Sequence, residues 1–457
     1  MLVCLRPRLV YDEGWSYASV KTETLLDLLT YRHFNIANNH LLNSLWFRLM
    51  QVSGARHVFF FRGLSLLSFF PFAYFLYRAA TYKADVQPGA WFALFFLPPV
   101  LVYFASGRGY ALAIAAFCGA LYYLQVAIDN KPAAWWKFML CGFISSLAIV
   151  SFFYPFAAML IYFYACTGFR NLFTTRNILS AILLLLLTAY IYYIGKTILL
   201  HDKIINGTEN LVFNGMFSTF FGTFSLYDLT PWPHSYARLR LDFITKIIVM
   251  VSFLPVGVVL LWKHLRRYLG LVLVLIASAL FVVAHIALHA KYPSDRSVLY
   301  LLYLIYIPVV LVIAATRNKF FILHYAIIFF LCTLNLAGFI YETNRPDVYS
   351  TLAAQPDKSI TVYSDWQNWG DEATSDLRFH NRITFHYIAR SFETDLARVD
   401  QEVKAATRNP RVDYILLQES GFLRNSSLFT HDFIVTPVLS SGFKQLYLIK
   451  KKRVSQK

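Results

Sequence analysis

Residues 138–168 read FMLCGFISSLAIVSFFYPFAAMLIYFYACTG, and whether they form one helix or two decides the architecture of the chain. As one helix broken at Tyr154-Pro155, the run crosses a bilayer once. As two, it turns back on itself. Basic residues choose between these readings. With two helices, Arg78, Lys83, Lys131, Lys137, Arg170, Arg176, Lys263, Arg266, Arg267, Arg317 and Lys319 fall on one side. The short loops of the other side then hold only Arg108, Lys291 and Arg296. Merging the pair scatters these charges, against the bias of Lys and Arg toward cytoplasmic loops. Two helices, 138–152 and 154–168, are therefore expected.

Around this pair lie further apolar runs at 57–79, 90–106, 110–127, 178–199, 243–262, 268–288, 298–315 and 320–339. Each approaches the roughly 20 residues that span a bilayer, which gives ten helices. Composition agrees. Of 457 residues 58% are hydrophobic, 18% aromatic and only 15% charged, with a mean hydropathy of +0.50. A soluble domain needs more polar cover than that. The net charge of +17 raises nucleic acid as a partner. No basic patch interleaved with aromatics precedes the last quarter, so nucleic acid is set aside. Anchoring of helix ends accounts for the excess, with phosphate-bearing membrane lipid as the anionic partner. The five cysteines, Cys4, Cys118, Cys141, Cys166 and Cys332, lie in or beside apolar runs and form no CxxC pair. Neither a disulfide framework nor a zinc site follows from them.

The topology leaves residues 1–56, 200–242 and 341–457 outside the cytoplasm and divides the chain into a membrane domain, 1–340, and a C-terminal domain, 341–457. The first external segment carries an amphipathic helix around Leu41–Met50, with Leu41, Leu45, Leu49 and Met50 able to share one face. In the last, Ile360–Ser364, Tyr414–Gln418 and Lys444–Ile449 read as strands and 392–407 as a helix, a small α/β or α+β unit. An external N-terminus also implies another hydrophobic segment upstream of Met1. Asn425-Ser426-Ser427 fits the glycosylation pattern, which short segments match by chance.

Polar residues gather on the external side: Asp12-Glu13, Asn39-His40-Leu41-Leu42-Asn43, Arg62, Arg108-Gly109-Tyr110, and Tyr292-Pro293-Ser294-Asp295-Arg296 with Tyr300. In order and sidedness these marks resemble the GT-C superfamily of integral-membrane glycosyltransferases, over about residues 10–310. Within it the chain is similar to bacterial relatives of the protein O-mannosyltransferases and the lipid A aminoarabinose transferases. Two departures stand out: Leu41 replaces a proline common in relatives, and the family's first helix is absent. The resemblance implies a polytopic α-helical protein of the bacterial inner membrane, with its site and C-terminal domain extracytoplasmic. It implies transfer of a sugar from a polyprenyl-phosphate donor to a lipid, glycan or protein acceptor, with inversion. Asp12 is then the general base. Glu13 orients the acceptor or holds a divalent metal, while His40, Asn39, Arg62, Arg108, Tyr110, Tyr292 and Arg296 contact substrate.

Plainer readings stand beside these. A carboxylate pair in a loop can simply face water, His40 can bond backbone at a helix start, and Asn39 can cap a turn. Arg108 and Arg296 can anchor at the interface. Arg62, inside a helix, needs an internal partner in either case. Two other functional classes remain, a lipid or polysaccharide transporter and a non-catalytic membrane scaffold. Few ionisable groups within the helices and no paired broken helices weigh against transport.

Overall fold

The computed structural model describes residues 11–31, 40–82, 98–129, 132–168, 175–200 and 269–288. It also describes short pieces near 292 and 300–304, and 359–365, 383–388, 395–429, 431–439 and 445–452. Its described helices are α1 (Tyr11–Thr22), α2 (Leu25–Thr30), α3 (Leu41–Val52), α4 (Val58–Thr81), α5 (Pro98–Ala105), α6 (Tyr110–Ile128), α7 (Pro132–Ala148), α8 (Phe153–Thr167), α9 (Thr175–Leu200) and α10 (Leu269–Leu288). Three stretches, Val58–Thr81, Tyr110–Ile128 and Val150–Thr167, are helical, long and apolar enough to cross a membrane. The expected helix at 243–262 and nearly all of those at 298–315 and 320–339 lie outside the described residues.

The deciding run does form two helices. Trp135 near the start of α7 meets Phe163 near the end of α8 at 4.4 Å, and Phe138 meets Phe156 at 5.7 Å. Such pairing requires an antiparallel hairpin. The second helix starts within one residue of its expected position, but the first ends earlier than the expected residue 152, at Ala148, and Ile149 with a 3₁₀ turn, Val150–Phe152, makes the break. Pro155 sits in the first turn of α8, where a backbone N–H has no helical acceptor anyway. A proline there starts a helix rather than ending one.

Close packing explains why α6 lies at the centre, with fifteen of its nineteen residues buried. Its Ala111, Ala113, Ala115, Ala116, Gly119 and Ala120 let neighbouring helices approach, as small residues do in membranes. A Cβ on Gly119 would lie 2.9 Å from Cys141 Sγ of α7 and 3.1 Å from the Phe75 ring of α4. Between α7 and α8 the fit is tighter. A Cβ on Gly142 would run into the Phe156 ring. Outward faces of α4, α9 and α10 expose Leu67, Phe70, Leu185, Leu186, Val283 and Ile286, as helices bathed in lipid must.

The C-terminal region holds a five-stranded sheet: β1 (Ile360–Ser364), β2 (Ile383–Tyr387), β3 (Tyr414–Gln418), β4 (Phe433–Leu439) and β5 (Gln445–Lys451). Strand order is β2-β1-β3-β5-β4, with β1 parallel to both neighbours and β5 antiparallel to both of its own. The three expected strands appear at their places and the helix appears as α11 (Leu396–Arg408). Sequence reasoning missed β2 and β4, the two edges. Pro437 lies within β4, where an edge tolerates a missing N–H. Alternation sends Val362, Leu416 and Leu448 to one face. Ile415, Leu417 and Ile449 pack on the other against Val399, Val403 and Ala406 of α11. A short helix, α12 (Glu419–Arg424), follows β3.

By packing the chain forms two units. One comprises Met1–Thr22, Phe47–Phe61 and Tyr341–Lys457, and the other Glu23–Trp46 and Arg62–Ile340. In the first unit, Arg48 Nη1 donates to Val20 O at 2.8 Å and Gln51 Nε2 to Tyr17 O at 3.0 Å. Arg48 thus closes one of the last carbonyls of α1, and Gln51 binds a carbonyl nearly one turn earlier. The sequon at Asn425 is sterically closed. Asn425 is buried and its Nδ2 donates to Asp400 Oδ1 at 2.7 Å and to Gly421 O at 3.0 Å.

Two outcomes follow from this packing. Gly142→Ala should lower the yield of folded protein and its melting temperature, by about 1–3 kcal/mol of overpacking. Adding Phe156→Leu should recover most of the loss, and thermal melts of the single and double variants check it. The second concerns Asp365, which burial lifts to about 7 despite the Gln418 N–H bonded to it at 2.8 Å. A raised carboxyl pKa means the folded state binds the proton longer than the unfolded one, so stability falls as pH rises from about 4 to about 7. Asp365→Asn should therefore raise the melting temperature of the C-terminal domain more at pH 8 than at pH 4. A pH-independent shift contradicts the assignment.

Candidate active site at one end of the helix bundle

Between α5 and α6 the chain reverses in four residues, Ser106-Gly107-Arg108-Gly109. A turn this short leaves carbonyls outside any helical ladder, and buried carbonyls need donors. Arg108 N–H donates to Ser106 O at 2.8 Å. Asn43 Nδ2, from the first turn of α3, donates to Gly107 O at 2.8 Å. Ser65 Oγ, from α4, donates to Arg108 O at 3.0 Å. Gly109 then has no room for a side chain. A Cβ would stand 2.7 Å from Ala148 O at the end of α7 and 2.9 Å from His40 Cβ. Three helices besides α5 and α6, together with the residue before α3, thus converge on one turn.

Tyr110, the first residue of α6, collects the side chains. His40 meets its ring edge-on at 4.9 Å, Tyr103 lies at 4.9 Å, and the Arg108 guanidinium stands 5.5 Å from the ring centroid. His40, Asn43, Ser65, Arg108 and Tyr110 are all buried. Burial, and then the Arg108 charge, push His40 down to about 3, so its imidazole is neutral at physiological pH. His40 Nε2 and Asn43 Oδ1 have no hydrogen-bond partner among the described residues. The unpartnered His40 Nε2 beside a buried guanidinium suits a polar ligand, with a phosphate opposite the arginine and a hydroxyl opposite the imidazole.

The other end of the same helices is chemically different. Arg78 Nη2 donates to Tyr122 OH at 2.8 Å, Tyr82 OH to Asp129 Oδ2 at 2.8 Å, and Lys137 stands over the Tyr123 ring at 5.5 Å. Basic residues that the charge pattern assigned to one side and the Arg108 turn that it assigned to the other occupy opposite ends of α4 and α6.

Of the residues singled out in the sequence, the structure brings His40, Arg108 and Tyr110 together. Arg62 is buried on α4, one turn before Ser65. Tyr292 stacks on His285 at 4.4 Å and packs against the helical core. Glu13 is wholly buried, and with Asp12 it lies in α1 rather than in a loop open to water. The side chain of Asp12, and all of Asn39 and Arg296, lie outside the described residues. Among the described residues no three His, Cys, Asp or Glu side chains gather to hold a metal. The apolar face expected on α3 also changes. Leu41, Asn43, Ser44 and Phe47 are buried while Leu49 is exposed, so the polar side of the start of α3 faces the protein. Asn43 entered the sequence reasoning only as the end of a motif, and Ser65 not at all. A hydroxyl inside an apolar helix gives no sign of where it points.

No family model matches the chain, and no curated protein sequence matches it. A crystal structure of ArnT from Cupriavidus metallidurans in the apo state is similar, with a TM-score of 0.54 and 11% sequence identity. The match covers 98% of this chain and 95% of that one. At that identity the likeness speaks for the fold. The chain is mostly helical, carries apolar helices long enough to cross a membrane and a small C-terminal sheet, and shares the overall fold of that structure.

The depressed pKa of His40 makes a stability claim. Between about 3 and 6.5 the unfolded chain takes up a proton that the folded chain refuses, so acidification through that window destabilises the fold. His40→Gln lacks the titration. The melting temperature of wild type should fall relative to His40→Gln as pH drops from 6.5 to 4, and the two should run parallel above 7. Parallel curves throughout would mean that His40 is charged or exposed in the folded protein.

Proposed function

We propose that the protein is an integral-membrane glycosyltransferase that moves a sugar from a polyprenyl-phosphate to an extracytoplasmic lipid, glycan or protein acceptor. The observation that carries this reading is the match along nearly the whole chain to ArnT, a GT-C aminoarabinose transferase. The buried Arg108 cluster, at the end of the bundle opposite the basic residues, adds a place for an anionic and hydroxyl-bearing group. By the charge bias of membrane proteins, that end faces away from the cytoplasm.

Phosphate is already a good leaving group, so the reaction needs few parts. Asp12 takes the proton of the acceptor hydroxyl. The acceptor oxygen attacks the anomeric carbon from the face opposite the phosphate. The bond from that carbon to the phosphate oxygen breaks, and its electron pair leaves with polyprenyl phosphate, inverting the sugar carbon. Arg108 and Arg296 balance the departing charge, Glu13 orients the acceptor, and His40 with Asn39, Arg62, Tyr110 and Tyr292 shapes the donor site. Glu13 is also the residue that would hold a divalent metal, which EDTA treatment tests directly.

Membranes carrying the protein should release free polyprenyl phosphate from a polyprenyl-phosphate sugar when acceptor is present. A transporter or a scaffold releases none. Asp12→Asn should cut turnover on the order of 10²–10⁴-fold with little change in protein level. Turnover within a few-fold of wild type would move the base to another residue.

A further inference from the structure

Hydroxyls inside the membrane helices of this protein mostly bond the carbonyl one turn back on their own helix. Ser68 bonds Leu64 O, Thr81 bonds Tyr77 O, Ser146 bonds Gly142 O, Thr188 bonds Leu184 O and Thr197 bonds Tyr193 O. That is the default for Ser and Thr in a helix, because the acceptor is always within reach. Ser65 departs from it. Its hydroxyl crosses to Arg108 O, 43 residues away in sequence. Asn43 does likewise, reaching 64 residues to Gly107 O. Two side chains from two different helices thus fix the two successive carbonyls that flank the Arg108 N–Cα–C unit, while its N–H is closed by Ser106.

The placement of Gly109 completes the clamp, since the backbone after Arg108 is pressed between His40 and the end of α7. An arginine side chain is long and rich in rotamers, and holding it in one geometry costs entropy. Fixing its backbone at three points and laying its guanidinium against Tyr110 removes much of that freedom before any ligand arrives.

We infer that Asn43 and Ser65 are positioning residues whose role is to hold Arg108 in the geometry that receives an anionic group of the substrate. The inference rests on the glycosyltransferase reading for the identity of that group, a phosphate, but the clamp itself is independent of it. Neither residue touches substrate. Both act through the carbonyls of the turn.

The test uses the full chain in lipid nanodiscs and two readouts. The first is the rate at which phenylglyoxal modifies Arg108, followed by mass spectrometry. Ser65→Ala and Asn43→Leu should each raise that rate about 10-fold, the factor expected for one lost neutral hydrogen bond, while Ser65→Thr keeps the hydroxyl and stays near wild type. The second readout is kcat and KM for release of polyprenyl phosphate per folded molecule. Ser65→Ala and Asn43→Leu should each lower kcat/KM about 10-fold, and neither should lower it further in an Arg108→Gln background. Unchanged modification of Arg108, or losses that simply add to that of Arg108→Gln, overturns the inference. If wild type releases no polyprenyl phosphate, the functional reading fails, and the modification rates alone still decide for or against the clamp.

Discussion

A backbone carbonyl buried away from water must find a donor, and in a bundle of apolar helices few donors exist outside the helical ladders. The turn between α5 and α6 meets this constraint with side chains borrowed from α3 and α4. Because those donors sit on different helices, the turn cannot form until the helices have docked. Similar donation occurs in the second half of α1, where Arg48 and Gln51 of α3 donate to Val20 O and Tyr17 O. In both places polar side chains of α3 donate to backbone carbonyls of another element. The polar segment before α4 is therefore part of the scaffold as well as the place where chemistry is proposed.

Several features were legible in the sequence because they follow from local physics. Hydropathy located α4 to α10, and the distribution of Lys and Arg separated α7 from α8 without any structural knowledge. The end of α7 was not legible, because Ile149–Phe152 is as apolar as the helices on either side and nothing in it marks a 3₁₀ turn. Alternation revealed β1, β3 and β5, whose inward residues are strongly apolar. The edges β2 and β4 mix in Thr, His and Pro and bury less, so their pattern fades against that of a loop.

The candidate site shows the same division. His40, Arg108 and Tyr110 could be picked out as charged or polar groups beside membrane helices, where such residues are costly and so usually serve a purpose. The donors that hold them could not. Asn43 and Ser65 are ordinary residues by type, and only the three-dimensional register of α3, α4 and the turn gives them partners. Glu13 was legible as a member of a carboxylate pair but not as a wholly buried one, since nothing in Tyr11–Tyr17 separates a helix from a loop by periodicity alone.

The central position of α6 has a consequence for how this chain can change over time. A helix that faces lipid on most of one side, such as α4 or α9, accepts almost any apolar substitution there, since lipid conforms to each shape. Almost no part of α6 meets lipid, and its alanines and glycine set the distances to α4 and α7. Substitutions in α6 must therefore be answered by substitutions in its neighbours. The lipid-facing surface can diverge freely while the inner contacts drift slowly and in concert. A chain built this way can change most of its sequence and still keep its architecture, and this one shares a fold with ArnT at 11% identity over 98% of its length.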